Sequence, residues 1–202
     1  MEFETKSHRF GLAIADELKF KEEWEEIQDS IESITDEQIV SCHNNNFSEQ
    51  KSISKAINRL IHDNLTQKGW HSESPIFNDP HYENTRWRLD FAKDYISVEV
   101  AFNHGEAIAW NLLKPVLASE LNHVKKKANT SLGVIIMANE AMKEAGGFDG
   151  AVGSYEKAIR YLKPLQNQLS CPIILIGLHA PMTFKVEHVK VEGRNRAKFT
   201  TI

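Results

Sequence analysis

Cysteine is scarce. Cys42 and Cys171 are the only two in 202 residues, far apart and with no partner at metal-ligand spacing. A reduced, cytoplasmic protein is the simplest reading. No apolar run approaches the roughly 20 residues that a membrane span needs, so no membrane partner is expected. The first ten residues, MEFETKSHRF, contain no apolar h-region, and a secretory signal is not expected. Motifs of several large enzyme classes are missing as well. There is no H-E-x-x-H among the nine histidines and no G-x-S-x-G elbow, and the glycine-rich stretch GGFDGAVG lacks the lysine of a phosphate-binding loop. No internal repeat or low-complexity tract is present. Nor is positive charge in excess: 24 basic against 28 acidic residues give a formal charge of −4, which by itself argues weakly against nucleic acid.

What is present is ordinary globular material, 41% hydrophobic and 26% charged. The length is enough for one domain with a substantial core, and residues 1–202 are read as a single domain. The charge is uneven. Asp16 to Asp29 holds seven acidic and two basic residues, Lys185 to Lys198 five basic and two acidic, and Lys125 to Lys127 form another basic patch. One face can meet a polyanion while another stays acidic and solvated.

Hydrophobic spacing predicts the elements. In ADELKFKEEWEEIQDSIESI, Leu18, Trp24, Ile27, Ile31 and Ile34 form the apolar side of a helix with an acidic outer face. SCHNNNFSEQ reads as a polar loop, with Ser48 as N-cap of the next helix, whose stripe is Ile53, Ile57, Leu60, Ile61 and Leu65. Gly69 fits the left-handed position after its last turn. After the loop SPIFNDPHYENT, the segments WRLDFA and YISVEVAF predict two strands joined by a tight turn at Lys93–Asp94. Residues 106–127 read as a long helix with Pro115 kinking or restarting it. SLGVIIMA and CPIILIGL are continuous apolar strands on either side of a glycine-rich loop and a helix, SYEKAIRYLKPLQNQL. Unbroken apolar strands separated by helices imply a sheet covered on both faces. The expected fold class is therefore α/β, with a mixed central sheet flanked by helices and the hairpin of residues 86–103 near one edge.

That hairpin carries the chemistry. Asp90 lies in one arm and Glu99, embedded among valines, in the other. A carboxylate buried among valines needs compensation. The turn can bring the two acids side by side, where they repel unless a cation sits between them. Hard oxygen ligands suit Mg²⁺, which accepts phosphate oxygens and activates water. An ordinary hairpin with its acids in solvent fits the same spacing.

The stretch DFAKDYISVEVAF resembles the hairpin of the PD-(D/E)xK nucleases, and more narrowly the BglII/BstYI-like type II restriction endonucleases, which carry Asp-Phe, a basic-Asp turn and Glu-Val-Gln-Phe at the same spacing. KAINRLIHDNLTQKGW upstream and SELNHV, SLGVII, GSYEKA and PIILIGL downstream follow in the family's order, so the likeness runs from about Trp24 to Ala180. The resemblance implies a restriction-endonuclease-like nuclease domain that hydrolyses phosphodiesters in a short palindromic double-stranded DNA site, with a GATC-like centre. Mg²⁺ would be held by Asp90, Glu99 and the backbone carbonyl of Val100, with Glu73 approaching the site. Asn103 and His104 fall where the family reads bases, as does the loop from Phe148 to Ser154, with Asp149 and Ser154 as candidates. Asn-His-Gly is equally good turn chemistry. Lys125, Arg194 and Arg196 are candidate phosphate contacts, and residues 181–202 a candidate DNA-contacting segment. A palindromic site implies a two-fold homodimer, with the helix from Glu106 to Lys127 as its candidate surface.

The departure is Ala101. The family places Gln, Glu or Lys there, a group that positions or activates water, and alanine does neither. Three explanations stand: an engineered inactive variant, which the otherwise intact motif favours; a functional residue that has migrated into the gap; or a natural protein that binds DNA without cutting it. A repair or junction nuclease on the same fold is a further alternative.

Overall fold

The computed structural model describes residues 1–82, 87–120 and 128–202. Its centre is a six-stranded mixed sheet in the order β1-β6-β5-β4-β3-β2. The strands are β1 (Phe3–His8), β2 (His71–Pro75), β3 (Arg88–Lys93), β4 (Ile96–Val100), β5 (Leu132–Ala138) and β6 (Ile173–Leu178). β4, β5 and β6 run parallel and are buried at every position, as strands covered on both faces must be. β1 closes one side antiparallel to β6, and β2 lies outside the β3–β4 hairpin, antiparallel to β3. The expected class is met. The hairpin is one strand further in than predicted, because β2 shields it from the edge.

Two apolar layers cover the sheet. One holds α2 (Lys21–Glu32), α3 (Asp36–Asn46) and α4 (Ser54–Gln67), packing Trp24, Ile27, Ile57, Ile61 and Leu65 against Val98, Val100, Val134 and Ile136. The other holds α5 (Ile108–Ser119) and α7 (Tyr155–Leu162) over Ala101, Ile135, Met137, Ile173 and Leu175. The short helices are α1 (Gly11–Ala15) and α6 (Glu140–Ala145). Burying apolar area at roughly 25 cal/mol per Å² is what holds such layers together.

The structure corrects several local expectations. The first acidic helix begins at Lys21, not before Leu18. Leu18 is 97% exposed, in the turns that follow α1, and Phe20 takes the buried place. Residues 41–46 are helical. The capping box between Thr35 and Gln38 starts α3 at Asp36, and this helix buries only Ile39 and His43, four apart, so its composition reads as loop. Ser48 caps nothing; α4 begins at Ser54 with Ile53 in the cap position. Gly69, with φ +85°, ends α4 as expected. β1 and β2 were not anticipated. Neither was a separate two-stranded sheet, β7 (Phe184–Val191) with β8 (Arg194–Thr201), which packs on the α2–α4 side through Phe184 and Val186.

His43 on α3 is 1% exposed and meets Phe199 of β8 edge-on, ring centroids 5.1 Å apart. Burial holds its imidazole below the ordinary value of 6.5. The folded state therefore binds fewer protons than the unfolded chain near that pH. The stability that neutral His43 supports is complete above pH 6.5 and is lost as the pH falls toward the depressed folded value. His43→Phe is expected to flatten the acid side of a melting-temperature profile taken from about pH 8 to 5; an unchanged profile would remove His43 from that account.

Candidate active site

The β3–β4 ladder pairs Lys93 with Ile96, Ala92 with Ser97 and Phe91 with Val98, and goes no further. Beyond Phe91 the acids take over the hydrogen bonding. The Asp90 N–H donates to Glu99 Oε1 at 3.3 Å, and the Val100 N–H donates to Asp90 Oδ2 at 2.7 Å. Each carboxylate thus satisfies a backbone donor, and the hairpin opens where the acids sit. Both line a cavity of about 280 Å³, together with Glu73, Asn103, Asn111 and Lys114.

Glu99 is 2% exposed. Burial and then the charge of Asp90 push its carboxyl up to about 8, against the pull of Lys114. Asp90 is raised as well, chiefly by burial and in part by the charge of Glu73. The group that compensates Glu99 here is Lys114 of α5, whose Nζ lies 2.5 Å from Glu99 Oε2 and whose residue is only 9% exposed. A short, charge-assisted bond of this kind offsets part of the cost of burying the pair, and the raised carboxyl shows that the rest is not offset. Sequence reasoning missed Lys114. Its signal was a single lysine on the buried side of the apolar helix IAWNLLKPVLAS, three residues after Asn111.

The packing of α5 explains how that lysine reaches the site. Pro115 lies inside the helix, so the carbonyl of Asn111 has no N–H partner at i+4. The ring sits directly over Gly133 of β5, where a Cβ would come within 2.5 Å of the Pro115 Cβ. The helix therefore approaches the sheet at glycine distance one residue from Lys114. Asn111, one turn earlier, donates through Nδ2 to Asn103 Oδ1 at 2.9 Å and fixes Asn103 beyond the end of β4.

Glu73 lies on β2 between Ser72, paired with Phe91, and Ser74, paired with Leu89, which puts it across from Asp90. Its φ of +51° is left-handed, unusual for a residue with a Cβ and a recurring mark of functional positions. Among the described residues, no three His, Cys, Asp or Glu converge as a ready metal cluster. A cation at this site would rest on the two hairpin carboxylates and backbone oxygen. The donor chemistry fits one: three carboxyl groups line the cavity against one ammonium, and a cation between Asp90 and Glu99 would favour their ionised forms. Asn58 and His62, four apart on α4, also line it and were not anticipated.

The remaining candidates spread out. Asn103 is at the cavity; His104 is on an exposed turn, where its Nδ1 accepts from the Glu106 N–H at 3.4 Å. Residues 103–105 are knitted to 151–153 by a His104–Val152 bridge, Gly153 N–H to Asn103 O at 3.0 Å and Gly105 N–H to Ala151 O at 2.7 Å. The two expected base-reading segments are therefore adjacent. Asp149 is exposed and paired with Lys51 at 2.5 Å, and that hydrogen bond holds its carboxyl below the usual range. Ser154 is buried and accepts from the Lys157 N–H as N-cap of α7. Arg194 is exposed at the start of β8, whereas Arg196 pairs with Glu49 at 2.8 Å and Glu192 at 3.8 Å. Lys125, with the last part of the helix expected from Glu106 to Lys127, lies outside the described residues.

The model of the restriction endonuclease BglII/BglIII family matches residues 3–178. The chain belongs to that family. By class it is thus a type II site-specific nuclease. The structure is similar to that of restriction endonuclease BglII complexed with a DNA 16-mer, at 18% identity and a TM-score of 0.69 over 100% of both chains. It is also similar to free BglII, at 20% identity and a TM-score of 0.55, covering 100% of this chain and 93% of that one. At these identities the likeness speaks for the fold. None of the curated proteins matches by sequence. Among the described residues no helix is long and apolar enough to cross a membrane.

Proposed function

We propose that this chain is one nuclease domain that cuts both strands of a short palindromic site in double-stranded DNA, acting as a two-fold homodimer with Mg²⁺. The observation that carries this reading is the pair of carboxylates, Asp90 and Glu99, on opposite arms of an opened hairpin and at the wall of one cavity. Asp90, Glu99 and the carbonyl of Val100 would hold the ion, as in a PD-(D/E)xK site, and Glu73 adds charge from the facing strand. When bound, the ion polarises the phosphate and lowers the pKa of an attacking water. The protein's own part is to fix the two acids through backbone N–H groups and to keep bulk water from Glu99. Asn103 and His104, with Asp149 on the adjoining loop, are the candidates for contact with base edges in the major groove. Arg194 and the basic strands β7 and β8 are candidates for phosphate contact. A GATC-like centre is the expected site. The free cysteines, Cys42 and Cys171, suit work on DNA in the cytoplasm.

Ala101 favours a second reading, a chain that binds its site without cutting, by nature or by substitution. Plasmid DNA incubated with the chain and Mg²⁺ separates the two. Discrete fragments whose ends share one palindrome are expected. Sequence-specific gel shifts in Ca²⁺ without cutting in Mg²⁺ would favour the non-cleaving protein, and nicking confined to branched DNA would favour a junction enzyme.

A further inference from the structure

The methyl group of Ala101 supplies no polar group to the site. Ala101 is 2% exposed and packed in the apolar cluster with Ile108, Leu112 and Tyr155. Across the cavity, Lys114 presents an ammonium to Glu99, and the Pro115–Gly133 contact fixes the turn of α5 that carries it. A lysine held this deep keeps few waters, so its charge acts at close to full strength on whatever enters. It is the one lysine or arginine among the described residues that line the cavity with both acids.

We propose that Lys114 is the third catalytic residue of this site, delivered from α5 in place of the strand residue that Ala101 does not provide. This rests on the nuclease reading above. In the reaction, the bond from the water oxygen to phosphorus forms as the bond from phosphorus to the leaving ester oxygen breaks. The water's proton passes to solvent, and a solvent proton ends on the leaving oxygen. Lys114 stays an ammonium throughout and donates to an oxygen of the reacting phosphate, where negative charge gathers. On this account the alanine is no sign of inactivity.

The test compares the full chain with Lys114→Ala, Lys114→Gln, Ala101→Gln and the double variant Lys114→Ala/Ala101→Lys. Each is assayed for single-turnover cleavage in Mg²⁺, DNA affinity in Ca²⁺ by gel shift, and thermal melting. Loss of one well-aimed donor costs about 10²–10³-fold in rate. Lys114→Ala is expected to lose that much cleavage while its Ca²⁺ affinity stays within about threefold, under 1 kcal/mol. Should Lys114→Ala fail to fold, Lys114→Gln keeps a donor to Glu99 without the charge and is expected to lose at least about tenfold. Recovery of cleavage in the double variant would add direct support. Cleavage by the alanine or glutamine variant at the unsubstituted rate overturns the proposal and leaves the nuclease reading standing. So does an inactive unsubstituted chain that Ala101→Gln activates, since the alanine would then be the defect. Loss of DNA binding together with cleavage, in a variant that melts normally, also overturns it, because Lys114 would be an anchor. Cutting by none of the proteins brings down both readings.

Discussion

Asp90→Asn is expected to lower cleavage by at least about 100-fold, because removing even an outer-shell partner of a metal ligand costs about 10–100-fold and Asp90 is placed to be a ligand itself. Thermal melting gives a second, independent reading. A cation that binds the folded chain at a hundredfold excess over its Kd stabilises it by about 2.7 kcal/mol, which for a chain of this size corresponds to roughly 5–11 °C. Ca²⁺ should raise the melting temperature of the unsubstituted chain and leave the Asn variant nearly unmoved. Without metal the order reverses. Burial raises the Asp90 carboxyl against the pull of Lys114 and the Val100 N–H, and the charge of Glu73 adds to the rise, so a neutral isostere removes a net cost of burying the charge and the variant should melt higher. Equal Ca²⁺ shifts in the two proteins would show that Asp90 holds no ion.

Gly133→Ala is expected to destabilise the fold, against the usual direction for this change in a strand, where alanine gains roughly 0.5–1 kcal/mol. The new Cβ would lie 2.5 Å from Cβ and 2.7 Å from Cγ of Pro115. A proline ring in a helix has no rotamer to retreat into, and Gly133 is held between β4 and β6 by pairing on both sides. Overpacking of this kind costs typically about 1–3 kcal/mol, and two rigid partners argue for the upper end. At roughly 2–4 °C per kcal/mol the melting temperature should fall visibly. Cleavage should fall with it, since α5 must lift and Lys114 moves away from Glu99. A variant that melts at or above the parent temperature would mean that the ring does not bear on Gly133.

The two buried parallel strands, the hairpin and the α4 stripe were readable from residue order because each depends on neighbours within one element. A short run as rich in β-branched residues as LGVIIMA or IILIGL reads as a covered strand, and the nine-residue interval between Asp90 and Glu99 brings them to the two arms of one tight turn. The interval could not say what the acids would meet. β1 was missed because its burial comes from pairing with β6, some 170 positions on, and its own composition is polar. α3 was missed for the related reason that two buried residues sufficed once the capping box had started it.

The compensation of Glu99 shows the same division. Its need for a counter-charge follows from burying a carboxylate in a valine-rich strand, and that much is local chemistry. Which group answers the need depends on α5 folding back over β4 and β5, and on a glycine opposite a proline that lets the helix come close. Periodicity within one segment carries no information about the distance between two segments, so Lys114 read as one more lysine on a helix. Packing alone puts its nitrogen 2.5 Å from the carboxylate.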